Sequence, residues 1–168
     1  DLCAHADIVM LCLADTAVVR EVVFGTGGIA EGAKKGQLLM DFSSLEPTAT
    51  REMAAALAEK TAMGWLDSPV SGGVVGAEAG SLAIMVGGAA AVRERGRPGR
   101  LNLGQRVTHM GGIGAGQVTK ACNQMIVACN ALVIQTTDSA RSSITRMRPE
   151  RLLSTSVSAG SIKPMPWP

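Results

Sequence analysis

The chain has 168 residues, 46% hydrophobic and 18% charged, with a formal net charge of +2. That suffices for one globular domain with a true core, or one domain and part of a second. The small charge, with two Phe, two Trp and no Tyr, leaves too little phosphate neutralisation and base stacking for a nucleic-acid partner.

The apolar run Asp7 to Leu13 reads as a strand, and a helical pattern from Thr16 to Phe24 follows until Gly25-Thr26-Gly27-Gly28 breaks it. Gln37 to Phe42 is a second buried strand. Pro47 suits the first position of a helix carrying Met53, Ala54, Leu57 and Ala58 on one face, with Gly64 placed to end it. Trp65-Leu66-Asp67 and Ser81 to Val86 read as strands on either side of the glycine-rich segment Ser71 to Gly80, and Arg106 to Met110 as another. Between them Arg93 to Arg100, with two glycines and a proline, reads as a solvated loop. Buried strands alternating with helices give the α/β class, as a partial Rossmann-type, doubly wound, largely parallel sheet.

From about Gly116 the period changes. Val118, Cys122, Met125, Ile126, Cys129, Leu132 and Val133 recur at helical spacing with no strand after them. The expected division is therefore residues 1–111 as the later part of a dinucleotide-binding domain and 112–168 as the start of a helical substrate and oligomerisation domain. From Arg141 the period fades, and Ser142-Ser143 and the Pro-rich end read as loop or frayed tail, with a further helix start at Pro149 to Leu153.

The longest uncharged run, Ala121 to Thr137, contains Asn123, Gln124, Asn130 and Gln135 and falls short of the ~20 mostly apolar residues that span a bilayer. No membrane partner is expected. Cys3, Cys12, Cys122 and Cys129 show no C-x-x-C spacing, and neither His5 nor His109 is arranged around them as a zinc ligand. No metal is expected, and the cysteines read as reduced, buried thiols of a cytoplasmic protein. The opening Asp1-Leu2-Cys3 lacks an initiator Met and a basic n-region, so the sequence reads as the middle of a longer protein.

Two segments carry possible chemistry. In Asp67-Ser68-Pro69-Val70-Ser71-Gly72-Gly73, adjacent glycines after a strand let backbone N–H groups approach an anion, and Ser71 adds a hydroxyl. Such a tripeptide is also commonly just a turn. Further on, Lys120, Asn123 and Gln124 stand at i, i+3 and i+4 of the helix that starts near Gly116, so they project from one face and address one ligand. A lysine with an unperturbed pKa of about 10.4 must be shifted down to exchange protons near neutrality, and burial or a neighbouring helix N-terminus works in that direction. The bland alternative for Lys120 is a solvated surface lysine.

The run D-S-P-V-S-G-G-x-x-G-A-x-x-G-S-L-x-I-M-V-G-G, followed by G-x-G-x-x-x-K-x-x-N, resembles the beta-hydroxyacid dehydrogenase family, of the 3-hydroxyisobutyrate dehydrogenase and tartronate semialdehyde reductase type. The resemblance extends from about Ala6 to Ala140. It implies hydride transfer between NAD or NADP and a short 3-hydroxy acid, in a protein that is a homo-oligomer at full length. By the same resemblance Lys120 is the catalytic acid/base, Ser71, Gly72 and Gly73 form the substrate-carboxylate loop, and Asn123 orients the substrate beside Gln124. Leu13, Ala14 and Asp15 match a strand end that contacts the cofactor, and Ser44 matches a residue near the nicotinamide ribose.

The sequence departs from the family at several points, among them Arg93 to Arg100, which stands where relatives have an apolar-faced helix. Ala14 stands where proline is usual. No G-x-G-x-x-G turn for the pyrophosphate occurs, and Gly25-Thr26-Gly27-Gly28 follows a helix, so it does not substitute. The choice between NAD and NADP is therefore open. Alternatives are a relative of 6-phosphogluconate dehydrogenase, which typically carries His where Asn123 stands, and a catalytically inactive fragment or scaffold that keeps the dehydrogenase fold. Imine reductases usually lack the lysine.

Overall fold

A computed structural model describes residues 2–90, 92, 96 and 103–146. The solvated loop expected at Arg93 to Arg100, Gly96 apart, lies outside these residues, as do the helix start at Pro149 and the Pro-rich end. The chain divides into two compact units, Asp1–Met125 and Ile126–Pro168.

The elements of the first unit are α1 (Leu2–His5), β1 (Ile8–Leu11), α2 (Thr16–Phe24), α3 (Ile29–Gly32), β2 (Leu38–Asp41), α4 (Pro47–Thr61), β3 (Gly64–Asp67), β4 (Val70–Ser71), α5 (Gly73–Glu78), β5 (Ala83–Gly87), β6 (Arg106–Gly111) and the start of α6 (Ala115–Arg146). The sheet runs β1-β2-β3-β5-β4, with β6 on β5. β1, β2 and β3 are parallel, in a register that sets Asp41 beside Asp67. β5 is antiparallel to β3 and β4 and parallel to β6. The reversal follows from chain length: α5 and the turns around it bring the chain straight back along β4, whereas a parallel return needs a crossover of a dozen residues or more.

All four residues of β2 are buried, as expected of a strand covered on both faces. Alternate side chains serve different cores. Leu39 and Trp65 join Val19, Val23, Met53 and Leu57. Leu38, Met40 and Leu66 join Ile84 and Val86, which is the two-residue strand period read in three dimensions.

Helix boundaries have local causes. The Asp15 side chain accepts from the Val18 N–H at 2.9 Å and caps α2. Pro47 occupies the first turn of α4, and the Glu46 carboxylate accepts from the Thr48 and Ala49 N–H groups, bonds that hold it below the usual carboxylate range.

Several expectations need correction. The buried stripe of α4 is Thr50, Met53, Ala54 and Leu57, while Ala58 is exposed, because at 3.6 residues per turn the stripe drifts back to 50 and not forward to 58. The helix ends at Ala62, which takes the left-handed cap conformation (φ 57°). Gly64 instead opens β3, where an added Cβ would lie 3.0 Å from Val92 Cγ1. The segment Ser71 to Gly80 is not only loop but holds the last residue of β4 and all of α5. Only Cys3 is buried, whereas Cys12, Cys122 and Cys129 are exposed. Cys12 follows the end of β1, and the two helical cysteines lie seven residues apart, two turns along an exposed face of α6.

In the second unit the helix continues to Arg146, through the stretch expected to fray. Between Gly116 and Pro149 no Gly or Pro interrupts it, and propagating a formed helix costs little per residue. Ile126, Leu132, Val133 and Ile134 are exposed along it. No described helix is long and apolar enough to cross a membrane.

Candidate functional site

The carboxyl ends of β1, β2 and β3 all open on the same edge of the sheet, where ligands of such sheets bind. After β1 the chain turns through Leu13, Ala14 and Asp15, with Ala14 and Asp15 exposed. After β2 it turns through Ser43 and Ser44, with Ser44 exposed and Ser43 buried. The Leu13 N–H donates to Ser43 Oγ at 2.8 Å, so the structure brings these two loops together.

β3 ends in Asp67, whose fully buried carboxylate accepts from the Gly114 N–H at 2.8 Å and from the Gln117 N–H at 3.0 Å. It thus caps α6 from the sheet, satisfying N–H groups that a helix start leaves open. Gln117 is 2% exposed, and its amide is used twice: Oε1 accepts from the Leu45 N–H at 2.9 Å, and Nε2 donates to the Ser43 carbonyl at 2.8 Å. Asp67 stood in the quoted motif without a role, and Gln117 was overlooked. The available signal was a polar residue in a glycine-flanked helix start, with no hint of its partners.

One turn further, Lys120 Nζ donates to Gln124 Oε1 at 2.9 Å. Asn123 Nδ2 donates to Ser71 Oγ at 3.3 Å and faces Gln124 Oε1 at 3.4 Å. The structure therefore brings Ser71 of β4 to the helix face that carries Lys120, Asn123 and Gln124. Gly72 and Gly73, both exposed, hold φ of 143° and 61°, conformations that side chains rarely adopt. Their glycines are thus accounted for by the backbone alone. Partial burial lowers the Lys120 pKa from the ordinary lysine range, because desolvation penalises the ammonium.

Asp41 lies beside Asp67. One of its oxygens accepts from the Ser43 N–H at 2.9 Å, while its Oδ2, like the Ser68 hydroxyl, is buried without a partner among the described residues. Desolvation raises the Asp41 pKa to about 6 against hydrogen bonds from Ser43, and the Asp67 charge adds to the rise. Asp67 is raised too, chiefly by desolvation. A carboxyl raised by folding favours the protonated folded state. Its stabilising effect is full below the ordinary value of 3.8 and is lost as pH rises through about 6, an upper limit of about 3 kcal/mol. In Asp41→Asn the melting temperature should therefore exceed the parent's at neutral pH, with the difference narrowing as pH falls towards 4. A difference independent of pH would show that Asp41 does not carry this penalty.

A Rossmann-type α/β sheet with small-residue loops at its strand ends, leading into a lysine-bearing helix, is the architecture of a dinucleotide-binding oxidoreductase domain. Residues 1–112 match the family model for the NAD binding domain of 6-phosphogluconate dehydrogenase, and the chain belongs to that family, grouping within it with the beta-hydroxyacid dehydrogenases. It is 44% identical over 125 residues to the 2-hydroxy-3-oxopropionate reductase of Escherichia coli (strain K12), covering 74% of this chain and 42% of that protein. To the 2-(hydroxymethyl)glutarate dehydrogenase of Eubacterium barkeri it is 40% identical over 127 residues, covering 76% and 42%. A solved structure of Mycobacterium tuberculosis 3-hydroxyisobutyrate dehydrogenase with L-serine is similar at a TM-score of 0.78 and 34% identity, over 85% of this chain and 48% of that one. The chain thus spans less than half the length of these relatives.

Proposed function

We propose that this chain carries the acid/base and substrate-holding residues of an NAD(P)-dependent oxidoreductase that acts on a short 3-hydroxy acid. The observation that carries this reading is the meeting of Ser71 with Asn123 at 3.3 Å on the helix face where Lys120 bonds Gln124. Residues 52 positions apart form one polar patch, holding a hydroxyl, two amides and a lysine of lowered pKa.

Such a set meets the needs of alcohol oxidation. The Ser71 hydroxyl, with the backbone of Gly72 and Gly73, would hold the substrate carboxylate. Asn123 and Gln124 would orient the hydroxyl-bearing carbon. Lys120, in its amine form, would take the hydroxyl proton on Nζ as the C–O bond gains double-bond character, and return it in the reductive direction. Bonding to Gln124 keeps Nζ on the patch.

The exposed loops at Ala14, Asp15 and Ser44 fit the nicotinamide end of a dinucleotide, since their small side chains leave the strand ends open and Ser44 offers a hydroxyl. A glycine turn for the pyrophosphate is not among residues 1–168. When bound, NAD or NADP supplies the hydride acceptor. The similar proteins of Escherichia coli and Eubacterium barkeri are named as a hydroxy-oxo-acid reductase and a hydroxymethyl-acid dehydrogenase, which supports a small carboxylate-bearing substrate here.

The test is a panel of short 3-hydroxy and 2-hydroxy acids with each nicotinamide, followed by the absorbance of the reduced cofactor, on the full protein that contains this chain. Turnover should be confined to carboxylate-bearing substrates and be lost on their amides. Turnover indifferent to the carboxylate would overturn the role given to Ser71, Gly72 and Gly73.

A further inference from the structure

Gln117 lies outside the polar patch, yet it is the point where separate parts of the site are joined. It is nearly fully buried, and a buried amide is costly unless both its ends are bonded. Here both are: the Leu45 N–H requires an acceptor and the Ser43 carbonyl requires a donor, so the network itself fixes the amide's orientation. The two residues it bonds flank Ser44. Ser43 in turn receives the Leu13 N–H on its hydroxyl, and the Gln117 backbone N–H is held by Asp67 at the end of β3. Lys120 follows three residues later, one helical turn along α6.

We infer that Gln117 is a positioning residue, a buried amide that locks the loop carrying Ser44 to the helix carrying Lys120 and so fixes the cofactor side of the site relative to the proton-transfer group. The inference rests on the proposed dehydrogenase reading for its catalytic consequence, but not for the mechanical lock. The hydrogen bonds of its side chain go to Leu45 and Ser43, so its effect runs through the backbone of the loop and the axial placement of the helix. Geometry set this way matters because misplacing reacting groups by about 1 Å costs about a hundredfold in rate.

The test uses the full protein and two variants. Gln117→Met keeps the length and removes both bonds, while Gln117→Asn keeps the amide but is one carbon too short to reach both partners. Hydrogen–deuterium exchange should rise together over 43–46 and 114–120 in both variants, with 8–11 and 38–41 unchanged. In Gln117→Met, kcat should fall roughly 10- to 100-fold with a rise of several-fold in the KM of the nicotinamide and little change in that of the hydroxy acid. Gln117→Asn should lie between. Val23→Ala, a packing variant of α2, provides the control, because it should lower the melting temperature without separating these constants.

Unchanged exchange over 43–46 in either folded variant overturns the lock. Raised exchange with kcat and nicotinamide KM within about twofold of the parent overturns its catalytic role. A parent inert towards every hydroxy acid overturns the dehydrogenase reading and this role together, and the exchange result tells that failure apart from failure of the lock.

Discussion

Lys120→Ala should lower kcat by roughly 10²–10⁴-fold, the range that one positioned general acid/base contributes, while the dissociation constant of the nicotinamide stays near the parent's. The separation is expected because Lys120 lies on the face with Asn123 and Gln124, whereas the loops proposed for the cofactor are at Leu13–Asp15 and Ser43–Ser44, after β1 and β2. Lys120→Arg distinguishes acid/base work from simple charge, since a guanidinium keeps the charge but does not give up its proton near neutrality. If the lysine only neutralises the substrate, the arginine variant retains most of the rate; if it exchanges the proton, arginine fails nearly as badly as alanine. The pH profile gives a second readout. On the proposed mechanism oxidation requires the amine form, so the rate should rise with pH through the Lys120 pKa, which desolvation lowers from the ordinary lysine value of 10.5. An alanine variant with the parent's kcat would remove Lys120 from the mechanism.

The second large effect is expected at Gly116. A Cβ there would run into the Met85 carbonyl oxygen and lie 2.8 Å from Asp67 Oδ2 and 3.0 Å from the Asp67 carbonyl. Met85 and Asp67 lie within β5 and β3, so the obstacles are sheet backbone and a carboxylate fixed by two N–H groups, none of which can swing aside. In Gly116→Ala the helix start must therefore retreat, weakening the Asp67 cap as it goes. Overpacking and loss of the cap together should cost about 2–4 kcal/mol, against about 1 kcal/mol gained from the better helix propensity of alanine. Thermal unfolding checks this as a fall of several degrees, and kcat at temperatures well below the melting point should fall as well, because Lys120 moves with the helix. An alanine variant as stable and as active as the parent would mean that the close approach of α6 to the sheet is not required.

Both results bear on how the site is encoded. Most strands, α2 and the start of α4 were legible because their signals are local: apolar runs of strand length, a helical period from Thr16 to Phe24, and Pro47 at a helix start. The short pieces β4 and α5 were not, since Ser71 to Gly80 carries the small residues of a loop and its conformation is set by pairing of Val70 and Ser71 with Ile84 and Ala83. The left-handed end of α4 at Ala62 was likewise hidden, because glycine is the usual signal there and Gly64 drew the reading two residues too far.

Within the site, the helix face of Lys120, Asn123 and Gln124 follows from residue spacing alone, as positions i, i+3 and i+4 of a helix lie on one side. The resemblance in sequence added the substrate-carboxylate role of the loop Ser71 to Gly73 and the family itself. Which of these parts meet, and what holds them, emerges only in the folded chain: Ser71 against Asn123, Asp67 capping a helix 47 residues on, and Gln117 bonded to a loop 72 residues earlier. The physical reason is that a hydrogen bond across such a separation leaves no periodicity in the chain. The sequence determines which polar groups are present and which face of an element each occupies, but the partner of a buried amide or carboxylate is chosen by packing, which alone decides what lies within 3 Å of it.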